Sequence, residues 1–280
     1  MHPPFDVHRV VFNKCNFRTQ IKWRLVNRWF FKRLHIVDFR KMEPIDLEKL
    51  TDDIIVKHTS CKFLVVFGCQ ITDEGLQKLQ PYYLNVGDNI TNAGISHMNL
   101  HTLVNFCSSI TDDGIQGMHL HTLIAPTTFT DEGIKHMQLH TLHASTKMTD
   151  VGIRHMQLDS LHAFHSSISD EGIRHMNLYT LDASDIMTDN GIKNMRLCEL
   201  FANRLISNEG IRKQPLKVLY TNNSQVNEKG IGELQLHTLV VQPNLSHNIN
   251  PANMNLHTAK ITLGFGQHLW IIKNGQVVHT

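Results

Sequence analysis

Histidine is the residue type whose abundance in this chain suggests chemistry, occupying 20 of 280 positions. Most of these fall into columns. His97, His136, His155 and His175 each precede a methionine, and His101, His121, His140, His237 and His257 each precede a threonine. A zinc site needs three or four ligands converging at about 2 Å. Residues of one type repeated at strand spacing stay side by side and do not converge. His143 and His162, at equivalent positions of adjacent repeats, are the pair worth testing, either for metal or for a response to mild acid, since imidazole titrates near 6.5. No metal site is expected otherwise. The chain has no phosphate-binding glycine loop, no nucleophile elbow and no His-Glu-x-x-His. No catalytic residue, cofactor or enzymatic activity is therefore expected.

The other chemistry-bearing cluster is basic: Arg24, Arg28, Lys32 and Arg33 with Trp23 and Trp29. Interleaved cations and aromatics can bind nucleic acid. Residues 1–43 hold ten Lys or Arg against three acids, but the whole chain carries only +2 and the remainder is acidic. A run of this kind is more simply a solvated face, and no nucleic-acid partner is expected.

What positions these side chains is a repeat. Gly75, Gly94, Gly114, Gly133, Gly152, Gly172, Gly191, Gly210 and Gly230 recur every 19 or 20 residues. A short fixed period means one supersecondary unit copied many times, each copy burying its apolar face on its neighbours. Within a copy, Leu158, Leu161 and Ala163 end in period-two alternation, which reads as a short strand with one face buried. An apolar residue such as Ile168 follows, then Ser169 or its threonine equivalents, whose hydroxyl suits a helix cap. Asp170 and Glu171 favour the first turn of a helix electrostatically. Ile173 and Met176 then share one helical face. Glycine in a first helical turn costs up to ~1 kcal/mol against alanine, so something must require it. Either φ is positive there, or a neighbouring repeat comes too close for a Cβ. The last copy places Asn253 at the glycine position, and asparagine's tolerance of positive φ favours the first explanation.

Ile71-Thr72-Asp73-Glu74-Gly75-Leu76, with Cys69 just before it, resembles the cysteine-containing subclass of leucine-rich repeats. The resemblance covers roughly residues 55–262. It implies an α/β solenoid with short parallel strands on the concave face and helices on the convex face. Repeats in that family run to about 26 residues, so the convex helices here are expected to be thin.

Residues 4–36 do not repeat. Val7, Val10 and Val11 are helically spaced, as are Ile21, Leu25 and Trp29, with Thr19 as a candidate cap. Two short helices cannot form an independent core and must dock on something. Pro4, Asp6, Val7, Val10, Ile21, Arg24, Val26, Asn27, Arg28, Trp29 and Leu34 fall in register with the F-box pattern, which this segment resembles. The resemblance implies a small α-helical module that binds a Skp-type adaptor of cullin–RING (SCF-type) ubiquitin ligases through Pro4, Val7, Val10, Ile21 and Val26. An F-box followed directly by such repeats is the layout of substrate-recognition subunits. The alternative is a leucine-rich-repeat interaction or structural protein without a ubiquitin link, its N-terminal helices capping the solenoid.

The expected organisation is an F-box-like helical module over 1–42, a solenoid over 43–262 and a β-hairpin cap over 263–280. The hairpin is read from Leu269 to Val278 around Asn274-Gly275, a strong turn signal, and would cover the last open strand edge. On the concave face a first column runs from Thr102 through Thr141, Ser160, Thr180 and Glu199 to Thr258, and reads as structural. A second column holds Val104, Ile124, His143, His162, Asp182, Phe201, Tyr220, Val240 and Lys260. A third holds Phe106, Pro126, Ser145, Phe164, Ser184 and Asn203. The variable, partly aromatic set His143, His162, Phe164, Asp182, Phe201 and Tyr220 is the expected binding surface for a target protein. Five cysteines without finger spacing suit a reducing compartment. There is no run of some 18 apolar residues, and the N-terminus turns polar too soon for a secretory leader. No membrane partner is expected, and the expected location is cytoplasmic or nuclear.

Overall fold

The computed structural model describes residues 19–20, 38–40, 48–106, 109–125, 128–221 and 224–240, and the backbone of 241, 258–263, 268–273 and 276–279. Pro4, Val7, Val10, Ile21 and Val26 lie outside the described residues, as do Pro126, Asn253 and the Asn274-Gly275 turn. Thr19 and Gln20 are helical, and Gln20 is buried.

The chain forms two compact units, Met1–Phe129 and Thr130–Thr280. In the first the order is α1 (Asp52–Ile55), β1 (Phe63–Val65), α2 (Asp73–Leu76), β2 (Tyr83–Asn85), α3 (Asn92–Ile95), β3 (Thr102–Val104), α4 (Asp112–Ile115) and β4 (Thr122–Ile124). The second continues the same alternation. It runs α5 (Asp131–Ile134), β5 (Thr141–His143), α6 (Asp150–Ile153), β6 (Ser160–His162), α7 (Asp170–Ile173) and β7 (Thr180–Asp182). Then follow α8 (Asp189–Ile192), β8 (Glu199–Phe201), α9 (Asn208–Ile211), β9 (Val218–Thr221), α10 (Glu228–Gly232) and β10 (Thr238–Val241). The second unit ends in β11 (Thr258–Leu263), β12 (His268–Lys273) and β13 (Gln276–His279). The ten strands β1 to β10 run parallel within their units and alternate with short helices, a repeat α/β architecture. The helices are as thin as the short period implies, four or five residues each.

Register follows the leucines. Leu64, Leu84, Leu103 and Leu123 stand opposite one another in the first unit. Leu142, Leu161, Leu181, Leu200, Leu219 and Leu239 do so in the second. All ten are wholly buried. Behind them pack an alanine such as Ala163, the apolar residue before the cap such as Ile168, and the helix isoleucine such as Ile173. Because side chains alternate, the residues flanking each leucine stand on the opposite, open face. Residues 38–40 join the first unit's sheet, with the Phe39 N–H donating to the Phe63 carbonyl at 2.7 Å.

The repeats interlock through one carboxylate. Asp52, Asp73, Asp131, Asp150, Asp170 and Asp189, each the first helical residue of its copy, accept both the backbone N–H and the hydroxyl of the N-cap one repeat on. Asp73 takes Thr91 at 2.8 and 2.5 Å, and Asp150 takes Ser169 at 2.7 and 2.6 Å. The same hydroxyl then accepts the expected capping bond, as Ser169 does from the Glu171 N–H at 3.2 Å. This ladder explains the glycines, and it corrects the expectation of positive φ. Among the described glycines only Gly68 and Gly117 adopt positive φ. A Cβ on Gly172 would lie 2.3 Å from Asp150 Oδ1, and one on Gly94 would lie 2.2 Å from Asp73 Oδ1. The glycine is absence of side chain, making room for the neighbour's aspartate.

At the far end β10 pairs in parallel with β11, with Leu239 opposite Ile261 and Val240 opposite Thr262. The last strand is thus slid two residues from the expected register, so Lys260 stands opposite Thr238 in the first column. That register sets Ile261, and not Ala259, opposite Leu239. The expected hairpin is present: β12 runs antiparallel to β11, and β13 antiparallel to β12.

Candidate functional site

Five of the six expected concave residues form one row in the second unit. His143, His162 and Asp182 are register partners in turn on β5, β6 and β7, and Phe201 and Tyr220 continue the row on β8 and β9. All are half-buried. The His143 and His162 rings stack at 3.9 Å between centroids and 22° between planes. Phe201 and Tyr220 stack at 3.8 Å and 6°. His162 also reaches the Phe201 ring at 6.2 Å, and its Nδ1 lies 3.8 Å from Asp182 Oδ2.

Burial pushes the His143 imidazole down to about 4, with the neighbouring His162 adding to the fall and Asp182 opposing it. His143 is therefore neutral at pH 7. Stacked face to face, the two histidines direct their ring nitrogens side by side and not toward a common point. Among the described residues, no group of three or more His, Cys, Asp or Glu side chains could hold a metal ion.

The sixth residue, Phe164, stands apart from the row. It is 52% exposed, and its ring lies 3.8 Å from that of His165. The third column is in fact not one column. Ser145 and Ser184 are 0% exposed and Asn203 is 6% exposed, whereas Phe106 is 52% exposed. Repeat length accounts for the split. Leu64, Leu103 and Leu161 each open a repeat of 20 residues, and Leu84, Leu142, Leu181 and Leu200 each open one of 19. In the longer repeats the extra residue pushes an aromatic outward: Phe67, Phe106 or Phe164. The residue after it adopts the left-handed region in two of them, Gly68 at φ 77° and His165 at φ 64°. Cys69 and Ser166 then close the turn, donating to the Val66 carbonyl at 2.9 Å and the Ala163 carbonyl at 2.6 Å. In the shorter repeats the chain turns inward one residue sooner.

The histidine columns have local duties. Nε2–H of His155 donates to the Met137 carbonyl at 3.0 Å, and that of His175 to the Met156 carbonyl at 3.2 Å, each tying a repeat to its predecessor. His101 and His121 instead bond the hydroxyls of Thr102 and Thr122, along the chain and not across strands. They also extend a stack that sequence reading missed, Tyr82 on His101 at 4.2 Å and His101 on His121 at 4.4 Å. The signal was available, since all three sit two residues before an inward leucine. Burial pushes the Cys61 thiol up to about 12 and raises that of Cys69, which makes both poor nucleophiles at neutral pH.

No protein-family model matches the chain, and no curated protein matches it either. Among the described residues, no helix is long and apolar enough to cross a membrane.

Proposed function

We propose that this chain is a leucine-rich-repeat protein-interaction module whose concave face binds a target protein. The observation that supports this is the row His143, His162, Asp182, Phe201 and Tyr220. It is the variable, aromatic interruption of an otherwise repetitive open face, and stacked aromatics anchor interfaces well. The F-box-like residues Pro4, Val7, Val10, Ile21 and Val26 extend the proposal: the chain is a substrate receptor, linking that target to a Skp-type adaptor of a cullin–RING ubiquitin ligase. One observation favours the second reading, an N-terminal cap without a ubiquitin link. Residues 38–40 already pair with β1, and Phe39 is buried against the sheet.

One experiment separates the two. Full-length chain is mixed with a purified Skp-type adaptor, wild type against Val10→Asp. A receptor retains the adaptor and loses it on substitution, whereas a cap retains none in either form. Proximity labelling in cells with Phe201→Asp/Tyr220→Asp tests the concave face separately. Loss of a wild-type neighbour with adaptor binding unchanged supports it, and an unchanged set of neighbours overturns it.

A further inference from the structure

Each oxygen of a ladder carboxylate such as Asp150 accepts a bond from the next repeat, here from Ser169. Asp182 differs. Among the described residues its carboxylate accepts no hydrogen bond, and the His162 Nδ1, 3.8 Å from Oδ2, is too far for one. Its side chain is only 24% exposed, so the carboxylate has given up much of its water without a protein donor in exchange. A half-buried carboxylate in that condition gains most from a charge-assisted donor brought by another molecule.

Its surroundings select the donor. On one side stands Phe201, its ring parallel to Tyr220; on the other His162, backed by the neutral His143. Ring faces beside a carboxylate favour a flat cation, which bonds the oxygens at its edge and stacks on the rings. Glu199, opposite Thr180 in the neighbouring column, adds a second negative charge. Neither outward column of β5 to β10 contains a lysine or arginine to compete.

Resting on the reading of the concave face as a target-binding surface, we propose that Asp182 and the Phe201–Tyr220 stack seat an arginine side chain of the target protein. The guanidinium bonds the Asp182 carboxylate and lies against the aromatic rings. Lysine fits less well because its compact, strongly hydrated ammonium can neither fork onto the carboxylate nor stack.

The test is titration of the full chain with N-acetyl-arginine-methylamide, followed by the ring signals of His162, Phe201 and Tyr220 in NMR spectra at constant ionic strength. Saturable shifts are expected in the millimolar range. Binding should fall at least fivefold in Asp182→Asn and about threefold in Phe201→Leu, and the lysine derivative should bind several-fold more weakly than the arginine one. The proposal is overturned by an absence of saturable shift in wild type, by equal binding in Asp182→Asn, or by lysine matching arginine. Asp182→Asn keeps the side-chain shape, and an unchanged thermal midpoint confirms that the variant is folded. If the titration fails while proximity labelling still depends on Phe201 and Tyr220, the arginine seat falls and the concave-face reading stands.

Discussion

Asp170, the first helical residue of α7, accepts both the backbone N–H of Thr188 at 2.8 Å and its hydroxyl at 2.6 Å, one repeat further on. The Thr188 hydroxyl in turn accepts from the Asn190 N–H at 3.2 Å and caps α8. A single carboxylate thus holds the next repeat's helix start in place. Asp170→Ala removes two charge-assisted bonds and loosens a cap, and should cost about 2–3 kcal/mol in urea unfolding. Asp170→Asn should cost less than half of that. Asn92 and Asn208 already fill the position in their own copies, accepting the next backbone N–H at 3.0 Å and donating from the amide to the next cap.

Gly191 lies directly over that carboxylate. A Cβ there would sit 2.4 Å from Asp170 Oδ1 and 3.2 Å from Asp170 Cα. Helix propensity alone would make Gly191→Ala stabilising by up to ~1 kcal/mol. The clash should reverse the sign, giving a loss of about 2 kcal/mol or more, because two hydrogen bonds, one on each oxygen, pin the carboxylate that would have to move. The double variant Asp170→Ala/Gly191→Ala should then be less damaged than the sum of the single losses, by about 1 kcal/mol or more. Additive losses would mean that the glycine answers to something other than the aspartate.

Strand, cap, one-turn helix and inward leucine can all be read from a single copy, because each depends on neighbours within a few residues. The reason for Gly191 cannot, since the atom that excludes its Cβ belongs to the preceding repeat. Within one copy Asn253 points to positive φ, whereas the crowding comes from outside it. The third concave column failed for a related reason. Counting a fixed offset from the leucine ignores the extra residue of the longer repeats, which separates exposed Phe164 from buried Asn203. The stacking of His143 on His162 was legible as adjacency, because equivalent residues of neighbouring copies on parallel strands must meet. The unpaired state of Asp182 was not, since it depends on which donors the fold leaves out.

Phe164 and Asn203 hold the same offset from their leucines and should respond oppositely to substitution. Phe164 is exposed, and its ring contact is to the adjacent His165. Phe164→Ser should change stability by no more than about 0.5 kcal/mol. Asn203 donates from its amide to the carbonyls of Ser184 and Met187 and accepts the Leu205 N–H at 2.8 Å, all in a buried turn. Asn203→Ala removes all three bonds, leaving the Ser184 carbonyl only the Met187 N–H, and should cost about 2–3 kcal/mol. Urea midpoints of the two variants, taken side by side, check the assignment. Equal losses would mean that both offsets face the same surroundings.

His143 gives the second unit a pH dependence whose sign is fixed by its surroundings. Its ordinary imidazole value is 6.5, and burial, helped by His162, lowers it to about 4 in the folded chain. Between those values the unfolded chain binds more protons than the folded one, so stability rises with pH across that window. The contribution is fully present above pH 6.5 and is lost as pH falls toward 4. Water still reaches part of the ring, so the loss is discounted to about 1 kcal/mol by pH 4.5. His143→Gln, which cannot titrate, should therefore flatten the fall in thermal midpoint between pH 7 and 4.5, whatever it does to stability at pH 7. Other groups contribute to the acid response in both proteins, so the informative quantity is the difference between the two profiles. Parallel profiles would show that the ring beneath His162 is no more reluctant to take a proton than a histidine in water.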